Sequence, residues 1–425
     1  YGQTKFTTPR IDQLATEGMK FTQFYAGSTV CAPTRSTVMT GQHTGHTRVR
    51  GNVANVPDGR KLRVGLKPED VTIAEVLKAA GYATGIVGKW GLGEAGTDAV
   101  PTRKGFDFFY GFLNQHNAHY YYPPFLWKNE TKELFPDNDL VAMTGTYAHD
   151  RMTEEALDFV ERNADKPFFL YLAYTIPHAE MVAPEDSMAA FAESFEETPY
   201  ERRGTGYGSQ AKPRAAFAAM VTRLDRDVGQ LMDRLKALGI DDNTLVIFTS
   251  DNGPHGEGGH DEQFFNSNGP LKGMKRDLYD GGIRVPFIVR WPGTVEPSTT
   301  SDHIGAFWDF FPTCLDVSGA KSNAEIDGIS FLPTLKGKRQ RKHDYLYWEF
   351  FEKNGRQAVR MDDWKGVRYN VHSDPNSPME LYDLSNDIGE DTNVAAQYPN
   401  VLRRIERKMK KARTESEWFK FKHEM

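Results

Sequence analysis

The spacing of apolar and polar positions alternates between helical and strand periods along most of the chain. Over 8–18, Pro9 opens a helix, Ile11, Leu14 and Ala15 share one face, and Gly18 stops it. Residues 20–26 alternate as a short strand, and 31–41 read as a second helix, in which Pro33 suits the first helical position and Gly41 the left-handed stop. The clearest amphipathic signal spans 70–81, with Ile73, Val76, Leu77 and Ala80 at i, i+3, i+4 and i+7 and Gly81 at its end. A buried strand at 82–87 follows. The same order recurs as helix 149–163 before strand 168–174, and as helix 214–238 before strand 245–249. Another buried strand is expected at 285–290 and a helix at 305–317.

Residues 183–212 are rich in Glu, Gly and Arg and read as an irregular surface excursion. From about 335 the character changes. Strand-like pieces at 345–350, 357–360, 364–369 and 380–382 are joined by short polar turns, and a basic helix at 399–413 closes the chain. The pattern predicts a catalytic α/β domain over 1–334 and a small antiparallel sheet with one helix, an α+β subdomain, over 335–425. Strand carboxyl ends of open parallel sheets gather ligands, so Lys89, His178 and Asp251-Asn252, each just past a strand, are expected to converge.

Composition narrows the function classes. With 425 residues and 39% apolar content the chain has material for a large core. The net charge of −6 and the absence of a basic block interleaved with aromatics argue against nucleic-acid binding. No apolar run reaches the length of a membrane-spanning helix. Two cysteines, Cys31 and Cys314, are too few for a disulfide framework. The aromatic segment 106–127 is mostly core, with a few rings available to stack on a sugar.

The chemistry centres on Cys31-Ala32-Pro33-Thr34-Arg35. A helix beginning here puts Cys31 where free N–H groups and the helix dipole favour an anion, and Arg35, about one turn on, adds a fixed cation. Three readings of Cys31 stand side by side: a buried structural thiol, a partner for Cys314, or a modified nucleophile. The pentapeptide, followed by Thr40-Gly41, resembles the Cys-x-Pro-x-Arg signature of the sulfatases, in which the cysteine becomes a formylglycine aldehyde; related phosphonate monoester hydrolases carry it too. Lys89-Trp90-Gly91-Leu92-Gly93 is similar to the family's Lys-Trp-His-Leu-Gly, with Gly91 in the histidine position. Asp251-Asn252-Gly253 resembles the metal half-site, and 268–275 and 279–286 resemble the later block that contains Lys275.

The resemblance implies an alkaline-phosphatase-like fold with a large mixed sheet between helices. It implies a sulfuric ester hydrolase, with catalytic roles for Cys31, Arg35, Lys89, His178 and Lys275. Cys31, Asp251 and Asn252 would hold Ca²⁺, or Mg²⁺ in tighter geometry, an all-oxygen site suited to a hard cation. One oxygen of the hydrated aldehyde would attack sulfur, and the second would expel sulfate and regenerate the aldehyde. Implied partners are a sulfated small molecule or glycan and a formylglycine-generating maturation enzyme, in a periplasmic or secreted setting. The resemblance also implies a first strand ending in a metal-binding aspartate pair, which residues 1–425 are expected to lack, with weak divalent binding and low stability as a result. His43, His46, Arg48, Arg50, His255 and His260 lie beside these blocks, as sugar-reading groups or as structural ones. The rivals are a phosphatase or phosphonate hydrolase on the same scaffold and a non-catalytic sulfated-glycan binder.

Overall fold

The computed structural model describes residues 1–55, 60–204 and 206–425. The Cys31–Thr40 helix lies at its centre, and all ten of its residues are buried. It begins two residues ahead of the position that Pro33 suggests and ends at Gly41, whose φ of 69° is the expected left-handed stop. Mixed sheets pack around it. One runs in the order Thr131–Leu134, Phe125–Lys128, Phe108–Phe112, Ala83–Lys89, Phe168–Ala173, and its last three strands are parallel. The other runs Val246–Thr249, Phe287–Arg290, Met19–Phe21, Thr299–Ser301.

This division corrects the expectation of three like units in one parallel sheet. Ala83–Lys89 and Phe168–Ala173 are parallel neighbours, but Val246–Thr249 belongs to the second sheet and pairs antiparallel with Phe287–Arg290. Among the described residues, Phe168–Ala173 and Val246–Thr249 are edge strands, each paired on one side only. Apart from Ala173 their residues are only half-buried, whereas those of Ala83–Lys89 and Phe287–Arg290, inside the sheets, are buried almost throughout.

Local chemistry explains the other departures. The 70–81 helix forms over Ile73–Ala79, because Thr72 caps it with a capping box to Glu75. The 20–26 strand is broken into Met19–Phe21 and Phe24–Tyr25, which pair with different partners. The 305–317 helix starts late, at Phe310, because Gly305–Ala306 pairs with Phe24–Tyr25. Within the aromatic segment lies a hairpin, Phe125–Lys128 with Thr131–Leu134, which turns at Asn129 with φ 55°. The described part of the 183–212 excursion contains a one-turn α-helix, Glu185–Met188, continued by a 3-10 turn, Ala189–Phe191.

The four C-terminal strands, Leu346–Phe350, Arg356–Met361, Trp364–Tyr369 and Met379–Asp383, form an antiparallel sheet as expected, and helix Pro399–Lys411 covers one face. The other face shares a core with Tyr25, Val30, Leu278, Ile283 and Trp308. Polar ties reinforce this contact. The Trp348 indole N–H donates to the Ala26 carbonyl at 2.9 Å, and Arg50 pairs with Glu349 at 2.9 Å. Deepest is Lys365, fully buried, with its ammonium 2.7 Å from Asp280 and 2.9 Å from Glu390. Burial pushes Glu390 up, while Lys365 and Arg360 hold Asp280 down against its own burial.

Removing one member of such a group leaves buried charge uncompensated, which costs about 3–5 kcal/mol. Lys365→Met is therefore expected to lower unfolding free energy by that amount in a urea titration.

Candidate active site

Cys31 opens its helix after Val30, whose backbone is extended. The next amide, Ala32 N–H, donates to Asn52 Oδ1 at 3.0 Å. Cys31 and Cys314 are both free thiols, which removes the disulfide alternative. Burial pushes the Cys314 thiol up to about 12, so it is inert.

Arg35 is buried and anchored at two strand ends. It donates to the Lys89 carbonyl and, at 3.3 Å, to Asp251 Oδ2. Lys89 ends strand Ala83–Lys89 and is also buried. Burial lowers its pKa, with Arg35 and Lys275 adding repulsion and Cys31 and Asp251 opposing it. Cys31, Arg35, Asp251 and Lys275 therefore all lie within electrostatic reach of Lys89.

His178 and Lys275 meet directly, Nζ to Nε2 at 2.6 Å. His178 Nδ1 lies 2.7 Å from the Ala179 carbonyl, to which it donates, so Nε2 is the acceptor and Lys275 the donor. Burial, then the charge of Lys275 and the neighbouring His255, Lys89 and His119, hold His178 well below its usual range. The ring is neutral and accepts from Lys275. The His119 ring stacks on it at 4.7 Å.

Glu257 is the residue that sequence reasoning missed. Its carboxylate accepts from Lys275 at 3.3 Å, Arg276 at 2.6 Å and Tyr207 at 3.2 Å. Burial would raise it, but Lys275 and Arg276 hold it down at about 2. The available signal was its place between the 251–253 and 268–275 blocks, in a run that alternates glycine with ionisable residues.

Asn252 carries an observation relevant to a metal. Its Nδ2 donates to the Gly253 carbonyl at 2.9 Å, while Oδ1 is buried and has no partner. A free amide oxygen beside the Asp251 carboxylate fits a hard cation as a half-site. Among the described residues, the group of three or more metal-type side chains is elsewhere, at His43, His46 and Asp327. There, His43 Nδ1 accepts the Gly45 N–H at 3.1 Å, so the proton sits on Nε2, which faces Asp327 at 3.7 Å. His46 Nδ1 lies 2.9 Å from the same carboxylate. A nitrogen that carries a proton cannot ligate, so the trio is a hydrogen-bonded clamp between the end of the Cys31 helix and residue 327.

The other flanking candidates are also structural. Arg48 pairs with Asp70 and Arg50 with Glu349, and His260 stacks on Phe217 at 3.9 Å. His255 holds the loop, lying 3.3 Å from the Pro177 carbonyl and accepting the Glu257 N–H at 3.0 Å.

The site thus gathers a helix mouth, buried cations and a lysine–histidine pair on an α/β scaffold. A profile described as Sulfatase matches residues 1–320, and one described as N-sulphoglucosamine sulphohydrolase, C-terminal, matches 273–415. The chain belongs to the sulfatase family of sulfuric ester hydrolases. Arylsulfatase A of Homo sapiens is 33% identical, over 95% of this chain and 82% of its own. N-acetylgalactosamine-6-sulfatase of Mus musculus is 32% identical over 81% of this chain, which spans 65% of that protein's length. The solved structure of Ps i-CgsB in complex with k-i-k-neocarrahexaose superposes with a TM-score of 0.80 at 29% identity, over 97% of this chain and 89% of that one. These relatives and the α/β architecture agree with the alkaline-phosphatase-like fold that the resemblance implies.

Four histidines around the site, His119, His178, His255 and His260, are held below their usual range, chiefly by burial. His119 and His260 fall to about 3 and His255 to about 4. Below about pH 6.5 the unfolded chain therefore binds protons that the folded one refuses, and stability rises with pH across that window, by about 1.4 kcal/mol per pH unit for each proton. Thermal melts are expected to show Tm falling steeply from pH 7 to 5, and His255→Gln to reduce the slope.

Proposed function

We propose that this protein hydrolyses the sulfate monoester of a saccharide, with Cys31 as the position of a formylglycine nucleophile. The observation that carries this reading is the convergence of three buried cations, Arg35, Lys89 and Lys275, on the mouth of the Cys31 helix. Relatives named N-acetylgalactosamine-6-sulfatase and a neighbour solved in complex with k-i-k-neocarrahexaose support a sugar ester.

When present, a hydrated aldehyde at position 31 supplies the attacking oxygen and a hard cation, Ca²⁺ or Mg²⁺, lowers that oxygen's proton affinity. The chain's own residues do the rest. Arg35, locked between the Lys89 carbonyl and Asp251, presents a fixed charge to the sulfuryl oxygens, and Lys89 adds a second. Lys275, held by Glu257 and by neutral His178, is positioned to give a proton to the leaving alcohol, with His178 as the acceptor behind it. Asp251 and Asn252 contribute one carboxylate and one amide oxygen to the cation. A hard cation gathers six or more oxygens. Tyr171, on the Phe168–Ala173 edge strand, and Asp251, just past Val246–Thr249, lie within electrostatic reach of each other. The reading carries a periplasmic or secreted setting and a maturation enzyme that oxidises Cys31.

Sulfate release from a panel of defined sulfated saccharides, with matched phosphate esters alongside, tests the activity. Turnover of phosphate alone would overturn it. Lys275→Ala is expected to lower kcat by about 10²-fold with a smaller change in KM. Peptide mass analysis of protein made with a maturation enzyme should show aldehyde at position 31, and an unmodified thiol in active protein would remove the proposed nucleophile.

A further inference from the structure

Gln115 lies in the loop that follows strand Phe108–Phe112. Its Nε2 and Oε1 are both shut off from solvent, and neither has a hydrogen-bond partner. One such group costs about 1–3 kcal/mol, so two on one side chain call for a reason. Their location supplies one. A Cβ placed on Gly91 would stand 2.2 Å from Gln115 Nε2 and 3.8 Å from Arg35 Cδ. The carboxamide thus fills the space left by the absence of a side chain at Gly91, beside the guanidinium-bearing arm of Arg35. It also lines a cavity of about 190 Å³ with Asn52, Gly91, Glu94 and Asn114. Asn52 is the residue that takes the amide next to Cys31. The cavity is several times the roughly 30 Å³ that a water molecule occupies in the liquid, enough for ring substituents.

A sulfate ester offers only acceptors, so it pairs with Nε2 and leaves Oε1 bare. A hydroxyl both donates and accepts. An amide with both ends free is matched by a ligand that presents an ester oxygen and a hydroxyl side by side, as a sugar ring does and a simple aryl ester does not. We infer that Gln115 is a specificity-determining residue whose carboxamide, turned out from Gly91 into the cavity, reads a free hydroxyl neighbouring the sulfate ester. The inference rests on the proposed sulfatase reading of Cys31 and adds to it a requirement on the substrate.

The test uses the saccharide ester that the full-length protein cleaves best and a counterpart in which the neighbouring hydroxyl is replaced by hydrogen. Wild type is expected to prefer the hydroxylated ester by roughly 10–100-fold in kcat/KM, because the deoxy analogue leaves one buried amide atom unpaired. Gln115→Leu, close in volume and without polar atoms, should lose that preference, with kcat/KM falling at least about tenfold more on the hydroxylated ester than on the deoxy ester and Tm unchanged or raised. Gln115→Ala serves as the second variant should leucine fit poorly. No preference in wild type, or an equal loss on both esters with a lowered Tm, would overturn the inference. Failure of wild type to release sulfate from any ester would instead strike the reading of Cys31.

Discussion

Burying three cations in one pocket is unfavourable unless anions or a ligand answer them, and the structure around Cys31 is organised by that constraint. Two carboxylates answer in part. Asp251 faces Arg35, and Glu257 faces Lys275 and Arg276. The histidines that crowd the same space are kept neutral, so they add donors and acceptors without adding charge. The remaining positive potential is directed at the helix mouth, where a sulfuryl group would bring its own negative oxygens. Electrostatic stabilisation of this kind works because the groups are fixed before substrate arrives.

Fixing them draws on distant parts of the chain. Arg35 is held by a carbonyl at the end of one sheet and a carboxylate at the end of another. The Lys275 amide donates to the Pro254 carbonyl at 2.8 Å, and that of Arg276 to Thr29, two residues before Cys31. The 251–283 segment is thus tied to the loop that leads into the nucleophile position. Fully buried Asp280 continues the tie into the C-terminal sheet through Lys365.

Much of this was legible in the sequence. Periodicity and capping residues located the Cys31 helix, its stop at Gly41 and the strands that deliver Lys89, His178 and Asp251, since those signals depend on neighbours along the chain. The division into sheets was not legible, because a buried apolar run such as Val246–Thr249 reads the same whether its partner is parallel or antiparallel. Glu257 was hidden because an acidic residue in a glycine-rich loop is ordinarily solvated, and only the fold brings Lys275 and Arg276 to it. Gln115 was hidden for a similar reason. The vacancy that it fills is made by Gly91, 24 positions away in sequence, and no local pattern links them. For His43 and His46 the sequence left sugar-reading and structural roles open, and their hydrogen bonds with Asp327 favour architecture.

The boundary drawn near residue 335 separates two folding patterns, yet the molecule does not divide there. Arg356, from the second C-terminal strand, donates to the Arg276 carbonyl and to Asp277, immediately after Lys275. Trp348 closes over the chain at Ala26, five residues ahead of Cys31. The last fifth of the sequence therefore acts as a splint on the loops that carry Cys31 and Lys275. A proteolytic cut between the halves would release no miniature enzyme. It would free the lysine from its backing and open an apolar face to water, so the two halves must be inherited, expressed and stabilised as one unit.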